Sequence, residues 1–172
     1  MKDDQPAPGN EVIVREPITS SDIPQIGNIE RLFFAYRDFT ADADRILSRF
    51  SFGRAHHRAL YFVNRKPGMT VAELISILSI TKQSLSRVLR QLIDSGHIVQ
   101  VAGQEDRRQR QLFPTRAGRT LVLELSQPQS RRIDHALKES GLDDDELIAA
   151  FMRHMINPAE REVLVSLSPG EK

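Results

Sequence analysis

Six polar side chains between residues 82 and 90 can donate hydrogen bonds, and none of them is acidic. They are Lys82, Gln83, Ser84, Ser86, Arg87 and Arg90. Side chains of these types bind phosphate oxygens and the edges of DNA bases. Exposed helices commonly mix Glu with Lys for local pairing, whereas here the first acid is Asp94, at the far end. The pattern predicts a surface that enters a DNA groove; the alternative is an ordinary solvated helix face.

A second concentration of charge lies at residues 105–110, which read EDRRQR. Its arginines are Arg107, Arg108 and Arg110, and it lies between two short segments that predict strands. Arginines at the tip of a hairpin can enter a minor groove, where narrow A·T-rich DNA holds a strong negative potential. We expect Asp106 to hold a neighbouring guanidinium in an extended position. The alternative is a solvated hairpin end whose charges cancel.

The positive charge of the chain is concentrated around these two segments. The net charge of the 172 residues is only +1, but residues 82–119 hold eight basic and three acidic residues, whereas residues 1–50 hold six basic and nine acidic. Such a local excess indicates a polyanionic partner. On charge alone, arginines that serve solubility are the better explanation. The choice between the two explanations therefore depends on the secondary-structure elements that carry the arginines.

Two short helices joined by a tight turn are predicted to position the first surface. Thr70 caps the first helix, and Glu73 completes a capping box. Thr81 caps the second helix and belongs to the predicted DNA surface. The second helix has an apolar stripe of Leu85, Val88, Leu89, Leu92 and Ile93. Because Gly96 can end this helix in the left-handed conformation, residues 70–96 predict a helix-turn-helix whose second helix enters the major groove.

The charged tip is predicted to lie at the end of a β-hairpin. IVQVA, residues 98–102, and QLFPT, residues 111–115, predict its two strands. Pro114 indicates that the second strand is an edge strand or ends there. A hairpin directly behind a recognition helix is a wing.

Helical periodicity predicts further helices on both sides of this lobe. Residues 1–27 hold several Pro and Gly and predict a flexible arm. A helix of about twenty residues from Asn28 and a second helix over residues 54–66 follow. After the wing, Thr115 caps a helix in which Pro128 predicts a kink or break.

The C-terminal part adds more apolar surface than a small lobe can cover. The helix with Pro128 ends at Gly141, and the next one, over residues 143–156, begins with acids that suit a helix N-terminus. Its apolar stripe is Leu147, Ile148, Phe151, Met152, Met155 and Ile156. Pro158 fits the first turn of a last helix. Burial against a second copy is predicted because large exposed apolar patches are uncommon in monomers; the alternative is an intramolecular bundle.

The wing segment resembles the signature of the MarR (multiple antibiotic resistance regulator) family of winged-helix transcription factors. That signature has the form D-x-R-x-x-x-L-x-L-T-x-x-G, and the segment here reads DRRQRQLFPTRAG. The residues in register are Asp106, Arg108, Leu112, Thr115 and Gly118. Pro114 replaces the usual second leucine. The helix-turn-helix, TVAELISILSI followed by TKQSLSRVLRQLIDSGHI, is also similar to that of the family, and the resemblance extends from about Asn28 to about Leu167.

The resemblance implies a mainly α fold with a small β wing, in which a winged helix-turn-helix lobe is joined to N- and C-terminal helices that form a dimerisation region. Members are obligate homodimers of triangular shape. Arg108 is then the arginine of the minor groove and Asp106 braces the wing, with Arg107 and Arg110 as backbone contacts. The expected divisions are an arm (1–27), an N-terminal dimerisation helix (28–53), the DNA-binding lobe (54–118) and C-terminal dimerisation helices (119–172).

Many members bind a small, often aromatic, anionic effector between the dimer helices and the winged lobe. The candidate effector-binding residues are Arg54, His57, Arg58 and Tyr61. The alternative is that these are packing and surface residues of an ordinary helix. The adjacent His56 and His57 point in different directions on a helix, and no other set of His, Asp or Glu has metal-ligand spacing, so no metal or cofactor is expected.

Several classes of protein are excluded by composition and motifs. No Ser-His-Asp pattern, glycine-rich phosphate loop or paired-carboxylate context rises above chance, so no enzyme is predicted. No apolar run approaches the roughly 18 residues that a membrane helix needs, and the acidic, proline-bearing N-terminal segment is unlike a secretory signal. Cysteine is absent, which excludes disulfides and thiolate redox sensing. A cytoplasmic protein without membrane contact is the simplest expectation.

The sequence therefore predicts a homodimeric, sequence-specific DNA-binding transcriptional regulator, a repressor relieved by a small aromatic or anionic effector. Its partner is double-stranded DNA with a pseudo-palindromic site, whose half-sites lie about one helical turn apart or slightly more. Two alternatives remain: a winged-helix protein-interaction module without DNA binding, and a small-molecule-binding dimer that has lost its DNA activity. Binding through several phosphates weakens steeply with salt, which separates these cases.

Overall fold

Helices dominate the described chain, with one short strand before the central pair of helices and two after it. The computed structural model describes residues 15–103, 109–142 and 145–167. The elements in these ranges are α1 (Ile26–Ser48), α2 (Arg54–Arg65), β1 (Met69–Thr70), α3 (Val71–Leu78), α4 (Lys82–Asp94), β2 (Ile98–Ala102), β3 (Arg110–Pro114), α5 (Arg116–Ser140), α6 (Asp145–Met155) and α7 (Pro158–Leu167). In the described ranges, no helix has both the length and the apolar character that a membrane crossing requires.

The helix-turn-helix forms as predicted, and its caps explain why. Thr70 Oγ1 accepts the Glu73 amide hydrogen at 3.2 Å, and the Glu73 carboxylate accepts the Thr70 amide hydrogen at 2.7 Å, so the capping box is confirmed. Thr81 Oγ1 accepts from the Ser84 amide at 3.2 Å and caps α4. Ser79 takes a left-handed conformation, with φ of 51°, and reverses the chain between the two helices.

The sheet has the order β1-β3-β2 and is antiparallel throughout. β3 is therefore the central strand, and the prediction of an edge strand is wrong, because the two-residue β1 was missed. The other alternative is confirmed, since β3 ends at Pro114. Pro114 is tolerated because β1 pairs only with Leu112 and Gln111, so no ladder bond to β1 is required where the proline lacks its N–H.

One face of this sheet packs on the helices. Ile98, Leu112 and Met69 are buried there, with at most 1% of their surface exposed. Side chains alternate along a strand, and Gln100 pairs directly with Leu112, so Gln100 points to the same helix-facing side. Arg110, two residues before Leu112, shares that side as well. The helix-facing side thus changes from apolar to polar and cationic toward the hairpin tip.

The start of α5 packs against the turn between α4 and β2. Thr115 Oγ1 accepts the Gly118 amide hydrogen at 3.0 Å and donates to the Gly96 carbonyl at 2.6 Å, which confirms the predicted cap. A Cβ on Gly118 would lie 2.0 Å from the His97 carbonyl oxygen. The register of α5 against the lobe therefore requires a glycine.

α5 continues through Pro128 to Ser140, so the break is wrong as one of the two outcomes predicted at this proline, whereas the kink stays a prediction. A proline removes one amide hydrogen bond from a helix. Before Pro128, α5 is held by the buried Leu121 and Leu125; after it, Gln129 donates to the Phe39 carbonyl at 3.3 Å and Arg132 to the Asp42 carboxylate at 3.1 Å. The predicted end of the helix is confirmed, because Gly141 caps it with φ of 65°.

The core lies beneath the helix-turn-helix and the sheet. Its largest fully buried side chains come from α1, α2, α3, α4, the strands and α5, and they are Leu47, Leu60, Met69, Leu74, Leu85, Leu92, Ile98, Leu112, Leu125 and Val63. The chain divides into two units between Arg37 and Asp38, within α1. In the first unit the apolar side chains of Leu32, Phe33 and Phe34 are exposed.

Candidate nucleic-acid interface

The polar and apolar residues of α4 are sorted onto opposite sides. Leu85, Val88, Leu89 and Leu92 are buried, with 0–7% of their surface exposed. All six polar side chains identified from the sequence are exposed: Lys82, Gln83, Ser84, Ser86, Arg87 and Arg90. The amphipathic pattern is confirmed, and the exposed side is the one that carries the hydrogen-bond donors.

The cations on this side have no ion-pair partner among the described residues. Lys82, Arg87, Arg90 and, at the start of β3, Arg110 form neither a side-chain hydrogen bond nor an ion pair with the described part of the chain. Five other cations are paired with carboxylates: Arg45, Arg49, Arg54, Lys66 and Arg132. Further cations without an ion pair among the described residues lie outside α4 and the strands, among them Arg131, Lys138 and Arg153. The exposed side of α4 and the start of β3 thus carry four cations that no carboxylate of the described residues neutralises.

The hydroxyl groups at the start of α4 are partly engaged within the helix. Thr81 Oγ1 donates to Ser84 Oγ at 3.0 Å and accepts from the Ser84 amide. Ser86 Oγ donates to the Lys82 carbonyl at 2.8 Å. Each hydroxyl has one hydrogen, so Thr81 and Ser86 retain only acceptor capacity toward a ligand, whereas Ser84 can still donate. Lys82, Gln83 and Arg87 are thus the principal free donors of the first turns.

The start of α4 and the base of the hairpin face a common groove. Lys82 and Arg110 both line this groove, which has a volume of about 490 Å³. Ser86 and Arg90 line an adjacent groove of about 320 Å³, and Gln100 of β2 borders both. The structure thus brings together α4 and the wing base; the other predicted wing residues, Asp106, Arg107 and Arg108, lie outside the described residues.

Gln100 was not identified from the sequence, although a signal for it exists. In IVQVA the alternation that places Ile98 inward also places Gln100 inward. A polar side chain at a helix-facing position either finds a partner within the protein or borders a polar groove, and Gln100 does the latter. Gln109, at the end of the described hairpin, lines the same groove.

The four candidate effector residues on α2 contact different parts of the chain. The Arg54 guanidinium donates to the Asp44 carboxylate of α1 through Nε at 3.0 Å and Nη2 at 2.7 Å. Burial lowers the pKa of His57, opposed by the charge of Asp44. Arg58 Nη2 donates to the Leu78 carbonyl at 3.2 Å, and the exposed Tyr61 ring meets a neighbouring phenyl ring edge-on. Two nitrogens of the Arg54 guanidinium are therefore already engaged by Asp44.

Among the residues that the structure describes, no group of three or more His, Cys, Asp or Glu is arranged to hold a metal ion. Two carboxylates lie close to this surface: Asp94 ends α4 and lines the same groove as Arg90, and Glu73 lies in α3. Glu73 accepts from Lys66 Nζ at 2.6 Å and from the Thr70 amide, and these hydrogen bonds lower its pKa. The Glu73 carboxylate is thereby paired with the Lys66 ammonium group.

Comparison with known proteins finds a relative that is similar to this chain over nearly its whole length. A sequence model of the MarR family matches residues 50–109. The HTH-type transcriptional regulator PetP of Rhodobacter capsulatus is 44% identical over 171 residues, which cover 98% of this chain and 99% of that protein.

Solved structures show the same fold. The crystal structure of MarR is 26% identical, covering 82% of this chain and 98% of that one, with a TM-score of 0.59. The transcriptional repressor CouR, bound to a 23-mer DNA duplex, is 17% identical, covering 81% of this chain and 99% of that one, with a TM-score of 0.62. At 17% identity the likeness to CouR concerns the fold alone.

Proposed function

This chain belongs to the MarR family of winged helix-turn-helix transcriptional regulators, and we propose that it acts as a homodimer on a pseudo-palindromic site in double-stranded DNA. Each copy inserts α4 into a major groove and its wing into the flanking minor groove. The two-fold symmetry of such a dimer places the half-sites about one helical turn apart or slightly more.

The observation that carries this proposal is the set of unpaired cations. Lys82, Arg87, Arg90 and Arg110 are exposed and have no ion-pair partner in the described chain. Bringing phosphates to them requires no internal ion pair to be broken, and each contact releases counterions from the DNA. Arg87 is on the same exposed side as Gln83, and both side-chain types recognise base edges in the major groove. We assign Arg108 to the minor groove, with Asp106 bracing the wing and Arg107 contacting the DNA backbone, as the resemblance to the family implies.

Exposed apolar side chains support the homodimer. On α6, Phe151, Met152 and Met155 are 63%, 55% and 56% exposed, and Phe33 on α1 is 70% exposed. Large apolar side chains in such exposed groups are uncommon on monomers and typical of interfaces. We therefore assign the N- and C-terminal helices to the dimer interface.

Repression relieved by a small aromatic or anionic ligand is the regulatory part of the proposal. A dimer that covers two successive major grooves excludes other proteins from that DNA. Arg54, His57, Arg58 and Tyr61 follow one another at helical spacing on α2, next to α1. Exchange of the Asp44 carboxylate for that of a ligand at Arg54 would alter the contact between α1 and the DNA-binding lobe.

The experiment is a fluorescence-anisotropy titration of the protein with the duplex upstream of its own gene, beside a scrambled duplex of equal length. We expect the upstream duplex to bind at least about tenfold more tightly, with log affinity falling linearly against log salt. Arg87→Ala should reduce the preference between operator variants by about tenfold, because one base contact contributes about 1–3 kcal/mol. The control is Arg45→Ala, since Arg45 pairs with Asp42 on α1.

Each outcome has a distinct meaning. No salt-dependent affinity for any duplex would favour a protein-interaction module and overturn the proposal. If Arg87→Ala weakens all sequences equally, Arg87 contacts only phosphate. For the wing, Arg108→Ala should weaken operator binding with the fold retained, as checked by circular dichroism.

A further inference from the structure

His56 joins the start of α2 to α4 through its two ring nitrogens. The Gly53 amide donates to His56 Nδ1 at 3.1 Å, so Nδ1 carries no hydrogen and the ring hydrogen is on Nε2. Nε2 therefore donates to Gln91 Oε1 on α4, at 2.6 Å. His56 is the third residue of α2 after the Gly53 cap, the position from which a side chain accepts the amide hydrogen of the cap residue. The neutral ring thus caps one helix and contacts the other.

Aromatic packing holds the ring in this orientation. The His56 ring stacks on the Phe52 ring, with centroids 4.8 Å apart and an angle of 6° between the planes. Phe52 lies in the turn between α1 and α2 and packs against the core, and its ring is edge-on to that of His97 at 5.4 Å. Rotation of the His56 ring would lose this stacking, so both of its hydrogen bonds depend on one ring orientation.

Gln91 lies on the side of α4 that carries donors for DNA. It follows Arg87 by four residues and Ser84 by seven, and residues at these spacings share one side of a helix. The buried stripe of α4 packs on the core, and the contact at Gln91 adds a polar anchor on the exposed side. This anchor restricts rotation of α4 about its axis and thereby the direction of Arg87.

We propose that neutral His56 positions α4 for operator binding and that proton uptake by His56 releases the contact, so that sequence-specific binding decreases on mild acidification. The inference rests on the proposed function and adds a regulatory condition to it. In the imidazolium both nitrogens carry hydrogen, so Nδ1 and the Gly53 amide would face each other as two donors. The helix macrodipole also opposes a positive charge in the first turn of α2. The charged ring turns away from Gly53 and loses Gln91.

Charged and titratable groups lie on each element around the ring. They are Arg54 and His57 on α2, Asp44 on α1, Arg49 in the turn after it, Arg87 and Asp94 on α4, His97 before β2 and Glu124 on α5. The carboxylates of α1 and α5 are each paired with an arginine of this set. On α4, Arg87 opposes a charge on His56, whereas Asp94 favours it. His57 and His97 resist charging, because burial lowers the pKa of each.

Three variants separate the contact from the proton. In His56→Gln the side-chain oxygen accepts the Gly53 amide hydrogen and the side-chain nitrogen donates toward Gln91, so the contact is kept without a titrating group. Gln91→Ala removes the contact at every pH and leaves the histidine in place. His135→Gln, at an exposed position of α5, is the control for the loss of one imidazole elsewhere.

The measurement is the affinity of the full-length protein for the upstream and scrambled duplexes at about pH 7.5 and about pH 6.0, a range in which imidazoles titrate. Fluorescence anisotropy at constant salt gives the preference for the upstream duplex. We expect this preference to fall about threefold or more at the lower pH in the unaltered protein and equally in His135→Gln. In His56→Gln it should change by less than about 1.5-fold, and in Gln91→Ala it should be low at both pH values.

Nitrogen-15 NMR of the imidazole groups, recorded without DNA, tests the contact itself. The His56 signals are those missing from the spectrum of His56→Gln. We expect them to show the ring hydrogen on Nε2 at about pH 7.5. A hydrogen on Nδ1 instead would overturn the inference whatever the duplex titrations give.

The outcomes also separate the inference from the function on which it rests. If the unaltered protein prefers the upstream duplex and this preference is independent of pH, or falls equally in His56→Gln, the inference fails alone. If the unaltered protein binds no duplex, both fail. Circular dichroism at both pH values shows whether each variant keeps its fold. Should His56→Gln not fold, Gln91→Ala provides the test, since its preference should no longer depend on pH.

Discussion

His97 is a polar residue whose side chain the fold buries, with 7% of its surface exposed. Its ring lies edge-on to Phe50 and Phe52, with centroids 5.5 and 5.4 Å away, and its Nδ1 lies 2.9 Å from Ser95 Oγ. Burial lowers the pKa of His97, because the charged imidazolium loses solvation by water. The folded protein therefore accommodates the neutral ring.

Because the folded protein favours the neutral ring, we expect the free energy of unfolding to decrease on mild acidification. The unfolded chain binds the proton near the ordinary pKa of 6.5, whereas the folded chain binds it only at lower pH. Below about pH 6.5 the unfolded state therefore holds more protons, and the free energy of unfolding falls as the pH is lowered. We expect His97→Phe to reduce this fall, measured by urea unfolding at about pH 8 and about pH 5.5.

The contributions of other titrating groups to this pH dependence can be separated from that of His97. Burial also lowers the pKa of His57, so it acts in the same direction, and adding His57→Gln should reduce the fall further. The pKa of Glu73 is lowered by the Lys66 hydrogen bond, so Glu73 loses its contribution only below its ordinary pKa of 4.5, outside this range. An unchanged fall in the His97→Phe variant would contradict the assignment.

At the scale of single side chains, the sequence predicts which residues are cationic but not which of them are paired. Lys82 and Arg87 were assigned correctly to an exposed side of α4 because helical periodicity alone decides that side. The partner of Arg54 could not be predicted, because the turn between α1 and α2 determines that Asp44 of α1 lies beside it. The same limit applies to Gln100, whose role depends on the neighbouring helices.

At the scale of elements, the helices were predictable wherever a local signal marks their ends. Thr70, Thr81 and Thr115 each form the predicted cap, and Gly141 ends α5. These signals depend only on residues within about four positions of each other, so they can be read without knowing the fold.

Elements that depend on distant contacts were missed or misjudged. β1 has only two residues, and it exists because Met69 pairs with Leu112, which lies far along the chain. Without β1, β3 was expected at an edge, whereas it is central. The break expected at Pro128 does not occur, since a helix can tolerate one proline when tertiary contacts hold both halves.

The junction between α5 and the lobe gives a prediction at this scale. Gly118→Ala should lower the free energy of unfolding by about 2–3 kcal/mol, because the new Cβ would lie 2.0 Å from the His97 carbonyl oxygen and both backbones would have to shift. The measurement is the midpoint of urea unfolding. Gly53→Ala is the control, since nothing lies within 4 Å of its Cβ position and its φ is −122°. Equal stability of the two variants would mean that α5 can move freely against the lobe.

At the scale of the whole molecule, the buried core and the exposed apolar residues separate along the chain. The second half of α1 buries Ala43 and Leu47, whereas Phe33 and Phe34 in its first half are 70% and 57% exposed. α6 likewise has no buried residue among those described. An apolar helix that its own chain leaves uncovered gains hydrophobic stabilisation only from another molecule.

The last prediction tests whether that molecule is a second copy. Phe151→Glu places a charge on the exposed apolar side of α6, which in a dimer would be desolvated without a partner, so we expect dissociation to monomers. Light scattering coupled to size exclusion measures the mass at several concentrations. Val101→Glu is the matched control, because Val101 is a 48% exposed apolar residue on the wing. If Phe151→Glu keeps the mass of the unaltered protein and that mass is two chains, the interface lies elsewhere. If the unaltered protein is itself a monomer, the homodimer is excluded.

Since a two-fold DNA site requires two linked lobes, dissociation should also weaken binding to the full operator far more than to an isolated half-site.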